Sequence, residues 1–241
     1  MINLIKSNGN NYSGFFTKEL EKYLSIGRTD YLHRTISPSQ ITECMRRQVS
    51  QLLGFPINEQ IDPKYQRIME NGNYVHKRYL QKYIPRMGLA CKIDDGKDKK
   101  DFIEVSLQDG ELWLKGSPDA LIFNPADGLK YVFELKSVKH ANFKDLLEPD
   151  WSYVAQVHLY MYLTNVPRSI IFYECKDDQD TKEFLVELNQ TTLTNLLDRI
   201  KLIQKFVLEY PTTNMLPLCE YPQGKYACKC SYIDYSKVLT H

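Results

Sequence analysis

No stretch of the 241 residues approaches the roughly 18 consecutive apolar positions that a membrane-spanning helix needs, so no membrane span is expected. The opening segment, Met1 to Asn10, lacks the apolar region of a secretory signal, which points to a reducing, intracellular setting. The six cysteines are therefore not expected to form a disulfide framework. Charge of one sign is lacking too: 31 basic residues face 30 acidic ones, for a net charge of +1, so a polyanionic partner would have to be met by a local basic patch. There is no internal repeat and no low-complexity tract. What remains is 43% hydrophobic and 25% charged, ordinary for a globular chain, and long enough for one large domain with additions.

Residues 1–36 form a polar and aromatic extension with mixed signals. Ser37-Pro38-Ser39-Gln40 predicts a helix start, with Ser37 as cap, Pro38 in the first helical position and Gln40 closing a capping box. That helix should run to Leu53 and stop at Gly54. A second is expected from Lys64 to Ile84, ended by Pro85. Strands are expected at 102–107, 112–115, 117–123 and 131–138, with a turn at 124–128. Asp150 caps a helix running to Asn165, strands follow at 169–175 and 182–188 around the acidic loop 176–180, and a long amphipathic helix covers Thr192 to Glu209. The tail from Pro211 is irregular. Strand 131–138, helix, strand 169–175 resembles a crossover unit, and the strands before it form a meander. The expected architecture is α/β: a mixed central β-sheet flanked by helices. A helical part (37–90) precedes an αβββαβ-type core (100–190), and a helix with a cysteine-containing tail (191–241) follows it.

The strand at 131–138 carries the chemistry. Glu134 and Lys136 flank Leu135, so both point to one face of an otherwise apolar strand, although such residues are rarely buried without partners. Asp119 lies just upstream in Gly116-Ser117-Pro118-Asp119. Two carboxylates suit Mg²⁺ or Mn²⁺, and a lysine beside them offsets their repulsion and can position a water or stabilise developing charge. His76, on the second helix, would bias the site toward Mn²⁺. Gln156 and Tyr160, four apart, share a helix face on which they could support Lys136. The plainer alternative for each is a surface ion pair, a partly buried histidine or a boundary residue of an amphipathic helix.

Taken in order, these motifs resemble the PD-(D/E)xK nucleases, in particular their RecB-like and Cas4-like exonuclease branch. Ser37 to Arg47, with Cys44 followed by Arg46 and Arg47, is similar to the branch's N-terminal segment. Gly72 to His76 is similar to its histidine motif, Gly116 to Asp119 to G-x-P-D, Glu134 to Lys136 to E-x-K, and Gln156 to Tyr160 to Q-x-x-x-Y. The resemblance implies a restriction-endonuclease-like core in a single nuclease domain. Metal would be held by His76, Asp119, Glu134 and the Leu135 carbonyl, with Lys136 catalytic and Gln156 and Tyr160 supporting it. It also implies an iron–sulfur cluster on Cys44, Cys219, Cys228 and Cys230. The spacing Cys-x₈-Cys-x-Cys departs from the branch's usual Cys-x₂-Cys, and zinc is the alternative for the same four thiolates. Cys91 and Cys175 read as small core hydrophobes.

Arg46, Arg47, Lys139 and Lys144 could neutralise DNA phosphates, as could Lys77, Arg78 and His140, and some of the 17 tyrosines could stack on unpaired bases. The expected activity is a metal-dependent DNA exonuclease acting on ends or single strands, with a helicase or recombination partner supplying any unwinding. A structure-selective endonuclease with the same site and a non-catalytic DNA-binding subunit are the alternatives.

Overall fold

The computed structural model describes residues 14–25, 34–56, 62–91, 105–221, 230 and 233–235. Helices α1 (Phe15–Leu24), α2 (Met45–Leu52), α3 (Pro63–Arg78) and α4 (Ile84–Arg86) come first. Strands β1 (Leu107–Asp109), β2 (Leu114–Gly116), β3 (Ala120–Asn124) and β4 (Leu129–Val138) follow. Then come α5 (His140–Phe143), α6 (Trp151–Thr164), β5 (Arg168–Cys175), β6 (Thr181–Glu187) and α7 (Gln190–Thr213). The central sheet has the order β3-β4-β5-β6; β4 and β5 are parallel, and the two outer pairs are antiparallel. It is the expected mixed sheet flanked by helices. No helix among the described residues is long and apolar enough to cross a membrane.

The period of β4 assigns its two faces. Tyr131, Phe133 and Leu135 pack with Val75, Leu80 and Ile84 of the helical arm. Val132 on the other face packs with Val157, Tyr160 and Met161 of α6. The back of α6, through Ala155 and Leu159, meets Leu193, Leu196, Ile200 and Ile203 of α7 and Met45 and Val49 of α2. Buried on both sides, α6 is apolar almost all round, so the polar Gln156 in its buried stretch calls for a partner. Asp150 caps α6 by accepting from the Ser152 amide, and Asn165 ends it in the left-handed conformation.

Several expectations are corrected. The helix expected over 37–53 is two pieces: a 3-10 turn at Pro38–Gln40, then α2. Ser37 makes no capping bond, and its hydroxyl contacts Ser39 instead. Cys44, in extended conformation, breaks the helix, and the Met45 amide donates to Glu220 at 2.7 Å. Pro85 does not end the second helix. The chain widens into a π-turn at Tyr79–Tyr83 just ahead of the proline and continues to Arg86. The meander is also different: β1 and β2 form a separate two-stranded ribbon, and only β3 pairs with β4. Residues 102–104 of the first expected strand lie outside the described residues. The α1 helix had no assignment from sequence, and α7 runs through Pro211 to Thr213, where Asn214 stops it at φ 51°.

Candidate active site

The turn between β2 and β3 delivers Asp119 to the edge of β4. Asp119 Oδ2 accepts from the Leu135 amide at 2.7 Å and faces His76 Nε2 at 3.3 Å. The other imidazole nitrogen, Nδ1, sits 3.0 Å from the Gly72 carbonyl one turn back on α3, which fixes the ring and leaves Nε2 aimed at the carboxylate. On the α6 face of β4, Lys136 Nζ donates to Glu134 Oε1 at 2.8 Å and to Gln156 Oε1 at 3.1 Å. The Gln156 amide donates to the same Glu134 oxygen at 2.8 Å, and Tyr160 Oη lies 3.3 Å from Gln156 Nε2. The structure thus brings together His76, Asp119, Glu134, Lys136, Gln156 and Tyr160. It adds Tyr153, whose ring lies 4.1 Å below the Lys136 ammonium. Tyr153 stands three positions before Gln156, so helical spacing was the signal that could have found it.

This is a dry site. Glu134, Gln156 and Tyr160 are buried, and the Lys136 side chain is 16% exposed. Burial, then the neighbouring charge of Asp119, pushes the Glu134 carboxyl up to about 7 against the pull of Lys136 and His76. At His76 burial opposes the charged imidazole, but the hydrogen bond and charge of Asp119 outweigh it and raise the ring to about 9. Burial and the Glu134 charge hold the Tyr160 phenol well above its ordinary range.

One atom marks what the cluster could hold. Glu134 Oε2 is buried with no hydrogen-bond partner among the described residues, a costly state for a carboxylate oxygen. Together with Asp119 and an imidazole nitrogen it forms an oxygen-rich donor set that suits Mg²⁺ or Mn²⁺. The three donors of His76, Asp119 and Glu134 are not drawn as close as two other trios among the described residues, whose ligand atoms all lie within 4.8 Å of one another. Like charges repel, and each carboxylate here turns to its own donors.

One of those trios is Cys44, Cys219 and Cys230, three of the four expected cluster ligands. Cys44 Sγ lies 3.8 Å from Cys219 Sγ and 3.6 Å from Cys230 Sγ. Cys228 lies outside the described residues. The basic residues divide. Arg46 stacks on Tyr235, donates to its hydroxyl at 3.0 Å and feels the charge of Cys230 and Cys219, whereas Arg47 lies 3.4 Å from Glu43. Lys139 and Lys144 are exposed on either side of α5, beyond the end of β4. Arg78, the last residue of α3 and directly ahead of the π-turn, is committed to Glu174 and Gln179.

No protein-family model matches the chain, and no curated protein matches it in sequence. Solved structures do. The alkaline exonuclease LHK-Exo from Laribacter hongkongensis is 13% identical with a TM-score of 0.50, covering 82% of this chain and 97% of its own. The same exonuclease in complex with dAMP gives 16% and 0.52, over 82% and 99%. A phage-related exonuclease from Haemophilus somnus 129PT gives 13% and 0.50, over 77% and 98%. At such identities the likeness establishes a common fold, a mixed sheet flanked by helices.

Proposed function

We propose that this chain is a divalent-metal-dependent DNA exonuclease, a phosphodiester hydrolase acting at DNA ends or on single strands. The observation that carries it is the Lys136 ammonium, held in a dry site by Glu134 and Gln156 beside a carboxylate oxygen that has no protein partner. The exonuclease fold around it supports the reading, as does a mononucleotide bound to one protein of that fold.

His76, Asp119, Glu134 and the Leu135 carbonyl would hold Mn²⁺ or Mg²⁺. When bound, such a cation supplies Lewis acidity toward a phosphoryl oxygen and makes a nearby water easier to deprotonate. The chain's own groups do the rest. Lys136 has one N–H left to orient an attacking water or to stabilise charge developing on the phosphate. Gln156 holds lysine and glutamate in register from α6, with Tyr160 behind it. Tyr153 backs the ammonium and restricts its swing. Lys139 and Lys144 meet the phosphates of the strand leaving the site. Cys44, Cys219 and Cys230 would hold an iron–sulfur cluster or zinc, with Cys228 as the fourth ligand that the family resemblance implies, and Arg46 and Arg47 would add phosphate contacts.

The test is release of nucleotides from end-labelled linear DNA with Mn²⁺ or Mg²⁺ present. Lys136→Ala and Glu134→Ala should each abolish release while far-UV circular dichroism stays unchanged, and a covalently closed single-stranded circle should remain intact. Cleavage retained by either variant overturns the assignment; cutting of the circle reassigns the site to an endonuclease.

A further inference from the structure

A second trio of donors gathers where the β4–α5 junction, the end of β5 and the β5–β6 turn meet. One nitrogen of His140, Sγ of Cys175 and one carboxylate oxygen of Asp178 all lie within 4.8 Å of one another. None of the three belongs to the network around Lys136 or to the thiols of Cys44, Cys219 and Cys230. Cys175 is fully buried, whereas the His140 and Asp178 side chains are 56% and 39% exposed. The cluster therefore has a dry floor and an open mouth.

Backbone bonds set the spacing. The Lys176 amide donates to the Val138 carbonyl at 2.8 Å, and the Cys175 amide to the Asp180 carbonyl at 2.8 Å. Asp177 accepts from the His140 amide at 2.6 Å, which ties the junction to the turn. Asp178 Oδ1 takes the Asp180 amide at 3.1 Å, leaving Oδ2 facing His140 Nδ1 at 2.7 Å. A carboxylate held by a backbone amide on one oxygen is oriented as metal-ligating carboxylates are.

The chemistry of the three is complementary. The His140 imidazole meets the Asp178 carboxylate at 2.7 Å, and the Cys175 sulfur lies within 4.8 Å of a ligand atom on each. Both groups thus face one anion across a gap small enough for a single ion. A dication there, in place of the thiol proton, would be balanced by one thiolate and one carboxylate. Sulfur, imidazole and carboxylate are the ligand types Zn²⁺ takes, and three protein ligands with an open fourth position is one of its standard arrangements. The competing account is a hydrogen-bonded turn over an inert buried thiol.

We propose that His140, Cys175 and Asp178 form a separate zinc-type site, with water as fourth ligand, clamping the β4–α5 junction to the β5–β6 turn. The full-length protein, stripped of weakly held metal, would be titrated with Co²⁺ as a spectroscopic stand-in for Zn²⁺. Wild type should show one more equivalent of bound Co²⁺ than Cys175→Ala, together with a thiolate-to-cobalt absorption band missing from that variant. His140→Ala, an exposed change that leaves the core intact, should weaken the same band's titration at least about tenfold. The thiols at Cys44, Cys219 and Cys230 contribute equally to all samples and cancel in the difference. A Co²⁺ titration curve for His140→Ala that superimposes on that of wild type overturns the proposal, even if Cys175→Ala fails to fold.

Discussion

Glu134→Gln tests the electrostatics of the site without any catalytic assay. Folding raises the Glu134 carboxyl from the ordinary 4.5 to about 7, first through burial and then through the charge of Asp119. For an acid whose pKa rises on folding, the folded state retains a proton that the unfolded chain has already lost. Stability therefore falls as pH climbs from about 4.5 to about 7, and the full penalty, on the order of 3 kcal/mol at most, applies above that window. Glutamine imitates the protonated form: its oxygen can still accept from Lys136 and Gln156, and its amide can occupy the position of the unpartnered Oε2. In urea titrations with EDTA, the variant should thus be more stable than wild type by about 1–3 kcal/mol at pH 8, and nearly equal to it at pH 5. Saturating Mn²⁺ should reverse the order, because only a protein that binds the ion in its folded state gains stability from it. A variant less stable than wild type at pH 8 without metal, or a difference that does not shrink on acidification, would refute the reasoning.

Three further outcomes follow from the same geometry. Tyr153→Leu removes the ring beneath Lys136 but no hydrogen bond; kcat on DNA should fall about 5-fold, from about 1 kcal/mol, with KM nearly unchanged in steady-state nucleotide release. Gly116→Ala would put a methyl group 2.7 Å from Pro38 Cδ and 3.0 Å from Tyr160 Cε1; thermal unfolding should show a loss of about 1–3 kcal/mol, and activity should drop as Tyr160 moves off Gln156. Arg199 holds Glu220 below its ordinary carboxylate range, so the pair's stabilisation is present above that range and is lost as pH falls through the depressed value. Glu220→Gln should cost about 1 kcal/mol at neutral pH, and the gap from wild type should close as pH falls below the ordinary carboxylate range in acid titrations followed by circular dichroism.

What could be read in advance was what local pattern encodes. The strands at 131–138 and 169–175 announce themselves as apolar runs, and the helix between them by its Asp150 cap. The period of two put Glu134 and Lys136 on one face without knowledge of the fold. His76 and Asp119 do meet, although only the ordered motifs joined them; no periodicity relates a helix position to a turn 43 residues later. The failures share the opposite cause. The break at Cys44 has no local signal, because the group completing the start of α2 is Glu220, 175 positions away. Pro85 and Pro211 looked like helix ends, yet tertiary packing and a π-turn carried the chain past them. Cys175 was rightly buried, but its neighbours His140 and Asp178 come from a junction and a loop that read as solvated surface.

The dependence of α2 on Glu220 has a consequence for biosynthesis. The Met45 amide and the Ile41 and Glu43 carbonyls are bonded by Glu220 and by Arg199, so the segment at the start of α2 waits for groups that leave the ribosome much later. At translation speeds of about 5–20 residues per second, that delay lasts on the order of ten seconds or more. Over that interval the apolar side of the early segment, Ile41, Met45 and Val49, has no α7 to lie against. Nascent chains arrested before residue 199 should therefore engage chaperones and be cut readily by protease around residue 45, and chains arrested well past residue 220 should resist.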